Sequence, residues 1–89
     1  MKRNPDFILR EVAETRLLVP VGAAAVKFAG MVTVNDTSAY LWELLAGEQT
    51  PETLTAALIA RYDIDEETAR RDVERVISSL TEIGAILYN

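Results

Sequence analysis

The sequence predicts an α+β domain in which a three-stranded antiparallel sheet is followed by three helices gathered on one of its faces. Three observations predict it. Two apolar, β-rich runs near the start are separated by only Ala13-Glu14; the hydrophobic period changes from two to about 3.6 at Asn35-Asp36-Thr37; and a helical stripe of apolar residues ends at Gly84. A chain of 89 residues, 49% of them hydrophobic, is too short for two cores, so a single domain over 1–89 is expected.

The first two strands are Phe7-Ile8-Leu9-Arg10-Glu11-Val12 and Thr15-Arg16-Leu17-Leu18-Val19-Pro20, read as a hairpin rich in branched side chains. Pro20 lacks an amide for the ladder and closes the second strand; Gly22 and Ala23-Ala24-Ala25 read as a loop. Met31-Val32-Thr33-Val34 is the third strand, introduced by Ala29-Gly30. Val26-Lys27-Phe28 is open to reading as a further short strand, with a tight turn at Ala29-Gly30.

Beyond Asn35 or Asp36, either of which can cap, Ala39, Leu41, Trp42, Leu44 and Leu45 crowd one helical face that Gly47 ends. Thr50-Pro51-Glu52 starts a second helix, a hydroxyl to cap followed by a proline whose missing amide is harmless in the first turn. Tyr62-Asp63-Ile64 is a loop, and Asp65-Glu66-Glu67 places acids at the next helix N-terminus. That last helix, about Glu66 to Ile83, carries Ala69, Val73, Val76, Ile77, Leu80 and Ile83 on one stripe. Ala85-Ile86-Leu87-Tyr88 packs back as a short extension.

Composition removes whole function classes. With no cysteine and no histidine, disulfides, thiolate metal sites and the commonest general base are all missing, and no glycine-rich phosphate loop replaces them. Cysteine-free composition and the lack of a signal segment lead to an expectation of a cytoplasmic protein. No run nears the roughly 20 apolar residues of a membrane span. A net charge of −5 opposes attraction to nucleic-acid phosphates.

Three patterns together carry a family resemblance. They are Leu9-Arg10-Glu11-Val12 followed by Val19-Pro20-Val21-Gly22; the more specific run from Gly30-Met31-Val32-Thr33-Val34-Asn35-Asp36-Thr37-Ser38 to Ala39-Tyr40-Leu41-Trp42-Glu43-Leu44-Leu45; and Thr50-Pro51-Glu52 through Tyr62, then Val73 to Leu80 and Gly84. In order and spacing they resemble the PqqD-like family, whose founding member serves in pyrroloquinoline quinone biosynthesis and whose relatives are called RiPP recognition elements. Family members often have Leu where this chain has Val34 and Gly where it has Ser38.

The resemblance implies a winged helix-turn-helix-like fold that binds the leader segment of a ribosomally made precursor peptide. The peptide would add as a strand to the third strand, in the cleft beside the last helix. It also implies no cofactor and no catalysis by this chain: chemistry falls to a modifying enzyme, often a radical S-adenosylmethionine enzyme. Met31, Val32, Thr33 and Val34 are the expected strand contacts, Val73 and Ile77 the pocket floor, and Arg70 and Glu74 its rim. Arg71 and Arg75 are expected further round the helix.

Plainer readings stand beside these. Val73 and Ile77 fit a core stripe equally well, Trp42 fits the core, and the arginines interleaved with Asp72 and Glu74 look like a solvated face. The third strand is a sheet edge and hence a template for another chain, unless Val26 to Phe28 or Ile86 to Tyr88 covers it. The alternative function is a winged-helix DNA-binding regulator. Against it, Asp65 to Glu82 holds six acids and three arginines, the wrong balance for a recognition helix.

Overall fold

A computed structural model describes residues 1–27 and 30–88 of the chain. Its elements in order are β1 (Lys2–Arg3), β2 (Phe7–Val12), β3 (Thr15–Pro20), α1 (Gly22–Lys27), β4 (Val32–Val34), α2 (Asp36–Leu44), α3 (Pro51–Tyr62), α4 (Glu66–Glu82) and β5 (Ile86–Leu87). The main sheet is antiparallel in the order β2-β3-β4. The expected α+β class, with a three-stranded antiparallel sheet and helices against it, is what the chain adopts.

Register follows from which face must be dry. Leu9, Leu18 and Val32 lie directly opposite one another across the three strands, and Leu18, in the middle, has no exposed surface. Side chains an odd number of residues away on β2, such as Ile8 and Val12, point to the other face and stay exposed. The helices close over the dry face: Leu18, Leu41, Leu45, Leu54, Leu58 and Val73 are completely buried, with Trp42 beside them at 2% exposure. This fixes the faces of the sheet, because a slip of one residue would put Leu18 in water.

The hairpin turn is built from unusual residues. Ala13 and Glu14 both have positive φ, 49° and 70°, as a two-residue turn of this hand demands, although neither is glycine or asparagine. Each sits where its Cβ is crowded, a local strain held by the six-residue pairing on either side.

Caps set the helix starts. The Asn35 side chain accepts the Ser38 amide at 2.8 Å, Thr50 accepts that of Thr53 at 3.1 Å with a reciprocal bond back, and Asp65 accepts that of Thr68 at 2.8 Å. Pro51 occupies the first turn of α3, and Gly84, at φ 80°, turns the chain after α4.

Two local expectations are corrected, and a third is given its partner. Gly22 to Lys27 is a helix rather than a loop running into a strand, since three consecutive alanines favour helix most strongly of all residues. Phe28 and Ala29 of that expected strand and turn lie outside the described residues. The C-terminal extension pairs as β5 with an N-terminal strand, Lys2 opposite Leu87 and Arg3 opposite Ile86, a strand too short and too basic to show any alternation. The Arg3 amide also donates to the Leu45 carbonyl at 2.8 Å, tying this small ribbon to the end of α2.

Candidate functional site

β4 is paired on one side only. β3 takes one edge, and among the described residues nothing pairs with the other. Among the described residues neither expected cover lies along it: Ile86 and Leu87 pair with β1, and Val26 and Lys27 are helical, Phe28 lying outside the described residues. The free edge of β4 looks across a groove at α4.

The groove has a volume of about 260 Å³, below the roughly 300–1,000 Å³ of typical small-molecule sites. Its size suits a few side chains of an extended segment. Val32, Thr33 and Val34 form one wall. On α4, Val76 and Leu80, 8% and 4% exposed, form the floor and half-buried Ile83 continues it. Asp72, Arg75 and Ser79 stand along the α4 rim, and Asn35, Thr37 and Ser38 close the Val34 end.

The charges of α4 are largely spent within the helix. Arg70 lies 3.4 Å from Glu66 and Arg71 lies 3.2 Å from Glu67, each one turn away. Arg75 has an arginine at the preceding turn instead of an acid, and meets Asp72 at 3.8 Å. An ion pair between Arg16 and Asp36 fastens β3 to the start of α2 beside β4. At the N-terminus of α4, hydrogen bonds from Thr68, its side chain first and its backbone amide second, hold the Asp65 carboxyl below the usual carboxylate range.

The expected site residues divide between different surfaces. Val32, Thr33 and Val34 line the groove; Met31, just before β4, is 60% exposed and does not. Val73 is completely buried, and Arg70 and Glu74 flank it around a shallow depression shared with Pro51, Glu52 and Thr55 of α3. Ile77 borders a different surface cleft, with Tyr88. The expected floor residues therefore do not line this groove. Positions 73 and 77 follow 72 and 76, and one residue is about 100° around a helix, enough to turn from β4 to α3. Arg75, expected further round, is on the groove rim.

Val76, Leu80 and Ile83 were visible as part of the apolar stripe, but the periodicity does not say which flank of the stripe meets the sheet. Asp72 left a signal that reading the stripe missed. It sits four and eight residues before Val76 and Leu80, an acid in an aliphatic row.

The chain is thus a small antiparallel sheet backed by helices, with an open edge beside an amphipathic helix. Residues 11–86 match the family described as coenzyme PQQ synthesis protein D (PqqD), and the chain belongs to that family. Two solved structures share the fold. One, lasso peptide synthetase B1 complexed with the leader peptide, is 21% identical with a TM-score of 0.74, covering 98% of this chain and 96% of its own. The other, TbiB1 in complex with the TbiA(beta) leader peptide, is 20% identical with a TM-score of 0.71, covering 92% of this chain and 90% of its own. No curated protein sequence matches it.

Proposed function

We propose that this protein captures the leader segment of a ribosomally made precursor peptide as an added strand on β4, and presents that precursor to a separate modifying enzyme. The observation that carries the reading is the unpaired β4 edge lying over an aliphatic groove. Membership of the PqqD family supports it, as does a fold shared with two proteins solved with leader peptides. Met31 to Val34 supply the strand; the groove side of α4, from Asp72 to Ile83, replaces Arg70, Val73, Glu74 and Ile77 as the proposed helix contacts.

The energetics are sufficient for transient capture. Two or three ladder hydrogen bonds contribute about 1 kcal/mol net each, less than the cost of ordering a flexible peptide. Burying two aliphatic leader side chains over Val76 and Leu80 adds about 1.5–3 kcal/mol each, which gives an affinity near micromolar. An encounter of this strength lets the precursor be passed on after modification. The chemistry belongs to the partner, a reading that membership of the PqqD family supports. Precursors are made in the cytoplasm, where the encounter takes place; no described helix is long and apolar enough to cross a membrane.

The DNA-binding alternative is disfavoured by charge. Glu66, Glu67, Glu74 and Glu82 are all exposed on α4, and Arg70 and Arg71 are engaged by acids on that same helix.

The test is amide hydrogen exchange with and without synthetic leader segments of candidate precursor peptides. Exchange should slow at residues 32–34 and stay unchanged along β2, the opposite edge of the sheet. Protection confined to β2, or absent from both edges at saturating peptide, would remove the mechanism.

A further inference from the structure

We infer that the segment taken up on β4 presents a basic side chain two residues before its first aliphatic anchor, and that Asp72 reads it. This rests on the strand-addition reading and specifies its ligand.

The stripe of α4 facing β4 advances in steps of four: Asp72, Val76, Leu80. Four residues of helix rise about 6 Å, and two residues of extended strand about 6.6 Å. A strand lying along the groove therefore brings successive inward side chains, at i, i+2 and i+4, opposite Asp72, Val76 and Leu80 in turn. Two of these positions are aliphatic and call for aliphatic partners. The third is a carboxylate.

Asp72 has no evident work in the fold. Asp65 caps the helix, and the favourable effect of acids on the helix dipole fades beyond the first turn. Yet the Asp72 side chain is only 32% exposed, and among the described residues its ionic partner is Arg75, at 3.8 Å the longest pair on the helix and itself 70% exposed. A strand laid over the groove would strip more water from this carboxylate. A neutral side chain opposite would leave that loss uncompensated, whereas Lys or Arg would offset it with a charge-assisted bond. A net charge of −5 draws a cationic segment in the same direction.

Chain direction gives the order. Ile83 also borders Phe7, Ala23 and Ala24, at the end of the sheet where β3 leaves and Val32 begins, so Asp72 lies at the Val34 end with Thr37 and Ser38. α4 therefore runs opposite to β4. A strand added antiparallel to β4, as every other pair in this sheet is, runs with α4 and meets Asp72 first. The pattern is basic, any, aliphatic, any, aliphatic.

A displayed library of randomised peptides selected on the folded protein tests this. Selected peptides should carry Lys or Arg two residues before an aliphatic residue and should slow amide exchange at 32–34. Asp72→Asn should weaken the best of them roughly tenfold, and Lys→Glu in the peptide should weaken binding to the wild type but not to the Asn variant. Peptides that protect 32–34 without a basic residue there, or with an acid facing Arg75, would overturn the assignment to Asp72 and leave strand addition standing. Selected peptides that leave 32–34 unprotected would overturn both.

Discussion

Proline placed at adjacent positions of β4 separates the two edges of that strand. In an antiparallel ladder the amides directed at one neighbour alternate, so the amide of Thr33 points to the opposite side from those of Val32 and Val34. One of the pair Val32→Pro and Thr33→Pro therefore removes a donor from the β3 ladder, and the other removes one from the open edge. At the open edge the fold loses nothing that water was not already supplying. A leader strand loses one hydrogen bond of about 1 kcal/mol and keeps an unpaired carbonyl in the groove, a further 1–2 kcal/mol or so. The sum, about 2–3 kcal/mol, corresponds to roughly 30- to 150-fold in Kd. At the β3 side the same residue removes a ladder bond of about 1 kcal/mol and leaves its carbonyl partner unpaired, about 1–3 kcal/mol more, while the peptide-facing donors survive. Isothermal titration with the leader, set beside thermal unfolding followed by circular dichroism, should show affinity lost in one variant and stability lost in the other. If both variants bind with unchanged affinity, the leader does not add to β4.

Three further outcomes follow from the geometry. Ile77→Ala should change leader affinity less than about twofold, because Ile77 faces the cleft beside Tyr88, whereas Ile83→Ala, in the groove, should weaken it roughly tenfold by titration calorimetry. Replacing the strained turn by Ala13→Asn with Glu14→Gly should stabilise the fold by about 1 kcal/mol and raise Tm by roughly 4–8 °C in a calorimetric scan, since both positions need positive φ. Asp65 is below its ordinary value near 3.8 in the folded state, so its contribution is present above that pH and lost as pH falls through the lower folded value. Asp65→Asn keeps a capping oxygen but cannot titrate, so its denaturation midpoint should fall less between pH 5 and pH 2.5 than the wild type's.

What could be read from the sequence was whatever period and punctuation record. The hairpin, the third strand and the last three helices declare themselves through alternation, through the caps at Asn35, Thr50 and Asp65, and through Gly84, whereas α1 does not. The edge position of Val32 to Val34 was legible as well, since a strand followed by helices has no later partner unless the chain returns. The contacts of α4 were not. A stripe containing Val73, Val76, Ile77 and Leu80 is wider than either neighbour, and its Val73 side goes to α3 while its Val76 side goes to the sheet. Only the crossing of α3 over α4 decides this, and it depends on residues far away in sequence. The β1–β5 ribbon was hidden for a related reason: two residues on each side carry no period, and their pairing is fixed by backbone bonds from Arg3 to Leu45 and Asn4 to Ala85.

The sheet has two unpaired edges among its described residues, and what lies beneath each decides between them. β2 offers the longer one, six residues against three. Its outer half carries Arg10 and Glu11, both exposed, and charges on an edge deter added strands. Its inner half borders a cleft walled by Lys2, Arg3 and Glu43, where the Arg3 guanidinium lies 5.7 Å from the centre of the Trp42 ring and donates to the Trp42 carbonyl at 3.2 Å. A leader strand there would have to seat itself against these charges, although Pro5, Ile8, Leu9 and Leu87 also border the cleft. β4 has no charged residue and faces Val76, Leu80 and Ile83, so each ladder bond formed on it is accompanied by aliphatic contact. Backbone bonds alone do not overcome the entropy of ordering a peptide. The β4 edge, which joins ladder bonds to an uncharged aliphatic wall, is therefore the one we expect to accept a leader strand, even though it is the shorter.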